Sequence, residues 1–158
     1  MIAILEERDA HLADINGVVK IENEVHFSPW STKNFQDSLT AKNIFKVFFL
    51  DDMIVGYYIA LIAANECQIL NIAIKACKQN KGFGHYLVNH IKNLSRDFHA
   101  TSIFLEVRVS NVKAIKLYEK NGFNELGIRN NYYKTLNGKE NGRIDMKDRK
   151  STRLNSSH

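Results

Sequence analysis

This 158-residue sequence contains few cysteines, one proline and no long apolar segment. The number of cysteines and the lack of long apolar segments each exclude a class of protein. The two cysteines, Cys67 and Cys77, have neither metal-ligand spacing nor the pattern of a disulfide framework, and the six histidines are scattered. No apolar run approaches the roughly 20 residues of a membrane helix. The first residues reach Glu6 and Glu7 too early for a secretory signal. We therefore expect a cytoplasmic protein that holds no metal and does not enter a membrane.

The net charge is also modest, at +5, and the basic residues are not interleaved with aromatic ones as on a nucleic-acid-binding surface. A small positive excess suits an anionic small-molecule ligand, so we expect no direct contact with nucleic acid. Residues 148–158, DRKSTRLNSSH, lack periodicity and almost all apolar content. We expect them to form a disordered tail that is not native to the domain, and we assign residues 1–147 to a single domain.

Strand-like and helix-like patterns alternate along the chain. The patterns predict strands at 2–6, 45–50, 54–64, 66–74, 102–109, 123–136 and 143–147, with turns at 51–52 and 138–142. They predict helices after Asp9 as N-cap, after Ser31 or Thr32, after Gly84, and over 111–121 with Gly122 as C-cap. Because strands precede, separate and follow the helices, we predict an α/β protein of the α+β type, with a mixed sheet covered on both faces.

The segment 70–85, LNIAIKACKQNKGFGH, combines a strand, a polar turn and the start of a helix. Gly82 and Gly84 open the helix, and backbone N–H groups at a helix start have no intrahelical partner and attract anions. Glycines also let a ligand approach the backbone closely, and Lys81 adds a positive charge. The same pattern is equally compatible with a plain connection between a strand and a helix.

The predicted strand 102–109, SIFLEVRV, contains a carboxylate where an apolar side chain is usual. Glu106 alternates with a face made of Ile103, Leu105 and Val107, and a carboxylate at such a position is costly without a partner. One interpretation is a pair of Glu106 with Arg108 on an exposed edge. The other is a carboxylate that faces a cleft and acts as a base.

The loop 26–31, HFSPWS, contains the only proline and the only tryptophan of the chain side by side. It is compatible with an apolar plug between two helices and with a wall of a substrate site, and the two interpretations do not exclude each other.

The segment 109–123, VSNVKAIKLYEKNGF, is the most specific of the sequence. It closely resembles the SN-x-x-A-x-x-LYE-x-x-GF signature of the GNAT acetyltransferases. The chain from residue 2 to about residue 146 resembles their RimI group, the ribosomal-protein-alanine N-acetyltransferases. Further matching blocks are 27–31 (FSPWS), 54–57 (IVGY), 71–74 (NIAI), 79–84 (QNKGFG), 105–111 (LEVRVSN) and 127–133 (GIRNNYY).

The resemblance implies the GNAT fold, a central, mostly antiparallel sheet flanked by helices, and a role for individual residues. Glu106 takes the position of the general base and Tyr118 that of the general acid. Without the motif, Tyr118 would be interpreted as a core aromatic at helical spacing. The acetyl-coenzyme A positions are Ile72, Ala73, Ile74, Gln79, Asn80, Lys81, Gly82, Phe83, Gly84, His85 and Asn111. The acceptor positions are Phe27, Trp30, Arg129, Tyr132 and Tyr133.

The resemblance further implies that acetyl passes from acetyl-coenzyme A to a protein N-terminus, an N-terminal alanine of a small-subunit ribosomal protein. It implies no metal, and we expect a monomer or weak dimer. An acetyltransferase for a small amine or another peptide is the first alternative. A coenzyme A-binding module without turnover is the second, and the presence of Glu106 and Tyr118 argues against it. The chain departs from the family at Ala76, where proline is frequent, and at Asn80, where a basic residue or glutamine is frequent.

Overall fold

The computed structural model of the chain describes residues 5–136 and 138–148, without the side chain of Lys134. The strands are β1 (Glu6–Asp9), β2 (Ile44–Leu50), β3 (Met53–Ala63), β4 (Glu66–Ile74), β5 (Ser102–Arg108), β6 (Asn124–Thr135) and β7 (Gly138–Asp148). The helices are α1 (Ile15–Val25), α2 (Thr32–Thr40), α3 (Phe83–Asp97) and α4 (Val112–Lys120), with short 3-10 turns at Leu12–Asp14 and Ala76–Lys78.

The strands form a seven-stranded sheet in the order β1-β2-β3-β4-β5-β7-β6. The pairs β1–β2, β2–β3, β5–β7 and β6–β7 are antiparallel, whereas β4 and β5 run parallel. The turn at 51–52 joins β2 to β3, as the sequence predicts. The prediction of a mixed, mostly antiparallel sheet flanked by helices is confirmed.

The chain forms two compact units. The first comprises the described residues up to Leu61 together with Leu70–Leu87. The second comprises Ile62–Ile69 and the described residues from Val88 onward.

An apolar core fills the first unit. The inward faces of α1 and α2 pack on β2 and β3, so that Val18, Phe35, Val47 and Tyr57 are fully buried. Helix α2 begins as the sequence predicts, because the Ser31 side chain accepts a hydrogen bond from the N–H of Asn34 at 3.1 Å. This cap fixes where the loop 26–31 ends.

The prediction that Asp9 caps the first helix is wrong. Asp9 is the last residue of β1, where it pairs with Lys46 along the backbone and through an ion pair of 2.7 Å. The helix begins at Ile15, after a 3-10 turn whose Asp14 carboxylate accepts the N–H of His11 at 2.7 Å and binds Arg8. The first strand accordingly runs over Glu6–Asp9, and residues 2–4 of the predicted strand lie outside the described residues.

The second unit is built around β5, whose apolar side chains Ile103, Leu105 and Val107 are buried, as the alternation predicts. Helix α4 ends before Gly122, whose φ of +93° lies in the left-handed region that glycine adopts easily.

The predicted turn at 138–142 is wrong, because β7 already begins at Gly138, which pairs with Thr135. The cross-strand ladder with β5 continues to Asp148, which pairs with Ser102, so β7 extends one residue into the predicted tail. Residues 149–158 lie outside the described residues. No helix within the described ranges is long and apolar enough to cross a membrane.

Candidate active site

Glu106 projects from the middle of β5, and its side chain is 22% exposed. Its Oε1 atom lies 2.8 Å from a guanidinium nitrogen of Arg129 on β6. Its Oε2 atom is buried and accepts no hydrogen bond from any residue that the structure describes. Glu106 therefore has one oxygen in an ion pair and one with unused acceptor capacity.

The interpretation that Glu106 pairs with Arg108 on an exposed edge is wrong. Strand β5 is internal, between β4 and β7. Arg108 pairs with Glu140 on β7 at 3.1 Å, and its guanidinium lies over the ring of Tyr133 at 4.6 Å.

An irregularity in β6 presents Arg129, Tyr132 and Tyr133 beside Glu106. In the pairing of β6 with β7, Arg129 stands opposite Gly142 and Tyr133 opposite Glu140, so three residues of β6 face one residue of β7. The Arg129 guanidinium lies 4.5 Å from the centre of the Tyr132 ring, and the two tyrosine rings meet edge to face at 4.9 Å.

Gly142 makes room for these rings. A Cβ atom at this position would lie 3.0 Å from the Tyr133 ring and 3.6 Å from the Tyr132 ring. Burial and the negative charge of Glu106 raise the pKa of Tyr133 to about 12, against the lowering effect of the neighbouring arginines. Tyr133 is therefore a neutral hydrogen-bonding group beside Glu106.

Tyr118 lies on α4 and is only 6% exposed, packed against Phe123 with 5.8 Å between ring centres. Burial, with the nearby Asp145 and Tyr133, raises the pKa of Tyr118 well above its ordinary value. The core-aromatic interpretation of Tyr118 thus describes its packing, and the raised pKa keeps its hydroxyl protonated at neutral pH.

Glu140 holds the loop that leads from β5 into α4. Its carboxylate accepts the N–H of Ser110 at 3.2 Å and the Ser110 hydroxyl at 3.0 Å, and it binds Arg108. Burial works to raise the pKa of Glu140, but the hydrogen bonds from Ser110 and Arg108 hold it below its ordinary value. The adjacent Asn111 caps α4 by accepting the N–H of Ala114 at 3.2 Å, so its side-chain NH₂ is the group it can offer to a ligand.

The segment predicted to bind pyrophosphate lies in the first unit. Gln79 donates a hydrogen bond to the carbonyl of Ile74 at 3.0 Å, which closes the turn after β4. Asn80, Lys81 and Gly82 are exposed. Asn80 and Gly82 have φ angles of 62° and 87°. Asparagine tolerates the left-handed region better than most residues, which gives the departure from the family at Asn80 a backbone reason.

Helix α3 begins at Phe83, directly after Gly82. The first N–H groups of a helix have no intrahelical acceptor, so those of Phe83, Gly84 and His85 suit an anion. Phe83 itself is buried and anchors the helix start, whereas His85 is exposed. This arrangement fits a pyrophosphate group.

The strand residues that are predicted to contact acetyl-coenzyme A are the last three residues of β4, called here the donor strand positions. Ala73 is buried, and Ile72 and Ile74 are half-buried. Strand β3 packs closely here, because a Cβ atom on Gly56 would lie 2.9 Å from the Ala73 carbonyl oxygen. On the far side of the strand end, the N–H of Ala76 donates to Glu24 of α1 at 2.9 Å.

Most of the loop 26–31 is exposed, and its two half-buried residues are His26 and Trp30. Trp30 packs on the core of the first unit, with its ring 5.2 Å from that of Phe35, which supports the plug interpretation for Trp30. Phe27 is 54% exposed and remains a candidate for contact with an acceptor.

Three carboxylates were not predicted from the sequence to have a role. Glu22 is buried in the first unit, and Glu140 and Asp145 lie on β7. The only available signal was that Glu22 falls on the apolar face of α1, four residues after Val18. Within 5–136 and 138–148 there is no cluster of three or more histidine, cysteine or carboxylate side chains that could hold a metal.

Residues 15–123 match the Acetyltransferase (GNAT) family. A ribosomal protein bS18-alanine N-acetyltransferase of Salmonella typhimurium is 34% identical over 131 residues, which cover 83% of this chain and 88% of that protein. The crystal structure of the ribosomal-protein-S18-alanine N-acetyltransferase from Escherichia coli matches with a TM-score of 0.86 at 30% identity, covering 92% of this chain and 94% of that one. Ard1 from Thermoplasma volcanium matches with a TM-score of 0.84 at 23% identity over 92% of this chain and 98% of that one, which shows the fold alone.

The family match spans more than half of the chain, and the two alanine N-acetyltransferases resemble it over nearly its whole length. The chain therefore belongs to the GNAT family of N-acetyltransferases, whose acetyl donor is acetyl-coenzyme A.

Proposed function

We propose that this enzyme acetylates the N-terminal α-amine of a protein, and that its acceptor is the N-terminal alanine of a small-subunit ribosomal protein. The observation that carries the proposal is the partly unpaired carboxylate of Glu106 beside Arg129 and the Tyr132–Tyr133 pair. The names of the relatives from Salmonella typhimurium and Escherichia coli support this acceptor class.

Glu106 acts as the general base. An amine attacks a thioester only when it is neutral, and an α-amine has a pKa of about 7.7–8.0, against about 10.4 for a lysine side chain. A carboxylate that accepts one proton, directly or through a water molecule, is therefore adequate for an N-terminus. Arg129 is half exposed, so its side chain can turn away from Oε1 when an amine approaches.

Tyr118 acts as the general acid. As the new C–N bond forms and the C–S bond breaks, the leaving thiolate of coenzyme A takes a proton from the Tyr118 hydroxyl. The ordinary tyrosine pKa of about 10 already keeps this proton on the hydroxyl in the neutral range, and burial raises the pKa of Tyr118 further. Glu106 then releases to solvent the proton that it removed from the amine, and Tyr118 takes up a proton from solvent. The enzyme therefore gains and loses no net proton in the reaction.

The first unit supplies the donor site. The N–H groups of Phe83, Gly84 and His85, with Gln79, Asn80, Lys81 and Gly82, bind the pyrophosphate of acetyl-coenzyme A. Backbone N–H groups of Ile72, Ala73 and Ile74 polarise the thioester carbonyl.

Selection of the acceptor rests on the exposed aromatic residues. Phe27 and Tyr132 are about half exposed, at 54% and 50%, and Tyr133 and Trp30 are less exposed. Large, semi-rigid rings contact a peptide at low entropy cost. A small first residue such as alanine fits a site crowded by rings, and a large one clashes.

The test compares three acceptors at neutral pH with acetyl-coenzyme A: a peptide with a free N-terminal alanine and no lysine, an N-terminally blocked peptide with one lysine, and a free diamine. Mass spectrometry identifies the acetylated position. We expect rapid transfer to the alanine terminus only, because the lysine ammonium is harder to deprotonate. Equal rates on the blocked lysine peptide, or a preference for the diamine, would refute the N-terminal assignment, and binding of acetyl-coenzyme A without transfer would indicate a binding module.

A further inference from the structure

Glu22 of α1 is a carboxylate enclosed in the first unit, with only 1% of its surface exposed. Its Oε2 atom accepts the backbone N–H of Trp30 at 2.9 Å. Its Oε1 atom accepts the Tyr57 hydroxyl at 2.6 Å and the side-chain NH₂ of Asn71 at 2.9 Å. Both oxygens are therefore used by donors from three different segments of the chain.

These donors connect two segments to which the proposed function assigns different substrates. Trp30 belongs to the loop 26–31, an acceptor segment. Asn71 on β4 directly precedes Ile72, where the donor strand positions begin. The Glu22 carboxylate also lies 3.6 Å from the imidazole Nε2 of His26, at the other end of the same loop.

We propose that Glu22 is a positioning residue that holds the acceptor loop 26–31 in place against the donor strand β4. The proposal rests on the proposed function for its account of which substrate each segment binds. Asn71 is held independently of Glu22, since it lies within a strand. The loop lies between the end of α1 at Val25 and the start of α2 at Thr32, outside helix and sheet. The Glu22 bond therefore acts together with the packing of Trp30 on Phe35 and the Ser31 cap to fix the course of the loop.

Folding alone does not explain a charge at this position. Apart from its three hydrogen-bond donors and His26, the surroundings of Glu22 are apolar, and Val18, Ile21 and Phe35 in the same core are fully or almost fully buried. Removing a carboxylate from water is costly, and apolar replacements of buried charged groups are often neutral or stabilising. What an apolar side chain cannot do is accept the N–H of Trp30 and so fix the direction in which the loop leaves α1.

The experiment uses Trp30 as its own probe, because it is the only tryptophan of the chain. Glu22→Met removes all acceptor atoms but keeps an unbranched side chain that suits a helix and an apolar core. Glu22→Gln keeps one oxygen for the Trp30 N–H and turns its NH₂ towards the Tyr57 hydroxyl and a flipped Asn71 amide. Tyr57→Phe is the matched control, because it removes one hydrogen bond to Oε1 and leaves the bond to Trp30.

We expect Glu22→Met to shift the Trp30 emission to the red and to raise KM for an alanine-starting peptide about tenfold, or about 1.4 kcal/mol. KM for acetyl-coenzyme A should change far less. Glu22→Gln should restore most of both values, and Tyr57→Phe should change neither. Unchanged emission and peptide KM in Glu22→Met, or equal changes in Tyr57→Phe, would overturn the proposal.

Hydrogen exchange on the unmodified enzyme decides the matter even when Glu22→Met does not fold. The Trp30 amide should exchange slowly although its loop has no regular structure, because its N–H is bonded to a buried acceptor. Exchange at the rate of an open loop would overturn the proposal. Failure of the unmodified enzyme to acetylate an alanine peptide would refute the proposed function, while exchange and emission would still report whether Glu22 holds the loop.

Discussion

The two units differ in how they treat their buried carboxylates. In the first unit, both oxygens of Glu22 accept hydrogen bonds, from the backbone of Trp30 and from two side chains. In the second unit, Glu106 and Asp145 each have one buried oxygen that accepts no hydrogen bond from the residues that the structure describes. Each of these two also has one oxygen bound to an arginine, Arg129 or Arg143.

The difference distinguishes a carboxylate that positions other groups from one that takes part in a reaction. A carboxylate whose oxygens are all used is a fixed acceptor, and its role is to hold other groups in place. A buried acceptor without a partner costs free energy, so it needs a compensating use. For Glu106, we propose that acceptance of a proton from the substrate is that use. For Asp145, we expect the cost to be visible as lower stability of the folded state.

The strongest test of this comparison is Glu106→Gln. The amide has nearly the same shape but cannot take a proton from the amine. We expect kcat/KM for the alanine peptide to fall by ~10²–10⁴-fold, the usual contribution of a general base, with unchanged affinity for acetyl-coenzyme A. Steady-state kinetics and calorimetry measure the two quantities.

Glu125→Gln is the matched control, since Glu125 lies in the same unit on β6 and its side chain is 52% exposed. It should leave kcat/KM within about twofold of the unmodified value, as is usual for exposed positions. If the two variants behaved alike, the unpaired oxygen of Glu106 would have no role in proton transfer.

The next largest effect should come from Gly82→Val. This variant tests the loop that we propose to bind acetyl-coenzyme A through its backbone N–H groups, without a carboxylate. Gly82 has a φ of 87°, and a β-branched residue there is strained and blocks close approach to the backbone. We expect the Kd for acetyl-coenzyme A to rise at least about tenfold. Gly127→Val is the control, because no atom lies within 4 Å of a Cβ built at Gly127. Unchanged affinity in calorimetry would remove the loop from the donor site.

Sequence reasoning described the local backbone of the proposed donor segment better than the surroundings of Glu106, for a physical reason. The donor loop is local: a strand, a polar turn, glycines and a helix start follow one another within 70–85, and local patterns report local backbone. The elements and the sheet type were likewise predictable from periodicity. The end of the predicted first strand and the N-cap were missed because the ladder between Asp9 and Lys46 is a long-range contact.

The surroundings of Glu106 depend on register, which no local pattern reveals. The partner of Glu106 is Arg129, on a strand that the sequence places more than twenty residues later, rather than the nearby Arg108. The pairing of β6 with β7 produces the irregularity of β6 at 130–132. The position of Glu140 on β7 also lets its carboxylate accept the N–H of Ser110. The turn was misplaced because the glycines at 138 and 142 suggest a loop, although Gly142 is needed in the strand to make room for tyrosine rings.

Gly142→Ala tests whether the position of the tyrosine rings near Glu106 matters, because it displaces a ring without changing a charge. The added methyl would lie 3.0 Å from the Tyr133 ring, so the ring must shift. Overpacking of this kind costs about 1–3 kcal/mol, and we expect KM for the alanine peptide to rise about threefold while KM for acetyl-coenzyme A stays constant. Gly127→Ala, which meets no neighbouring atom, should change neither. Equal effects of the two variants would mean that the ring positions do not matter for the acceptor.

Asp145→Asn should have the smallest effect, and chiefly on stability, although Asp145 also helps to raise the pKa of Tyr118. Asp145 is fully buried, and burial raises its pKa despite the hydrogen bond from Arg143 at 2.6 Å. A raised pKa means that the folded state favours the protonated carboxyl. The stabilisation from this group is thus complete below the unfolded pKa and is lost as the pH rises through the folded one. At a pH above the folded pKa, the folded state therefore contains an unfavourable charge, which an asparagine lacks while its oxygen still accepts from Arg143.

We expect the Tm of Asp145→Asn to exceed that of the unmodified enzyme at neutral pH by about 2–4 °C, which corresponds to about 1 kcal/mol for a chain of this size. The difference should shrink as the pH falls towards the ordinary aspartate pKa of about 3.9, because the unmodified carboxyl then takes up its proton. Thermal melts at a series of pH values measure it. Asp37→Asn, at a position 60% exposed on α2, is the matched control and should show no such trend. A Tm that fell at neutral pH, or a difference that grew on acidification, would show that the unpaired oxygen of Asp145 carries no cost and that the contrast with Glu22 does not extend to stability.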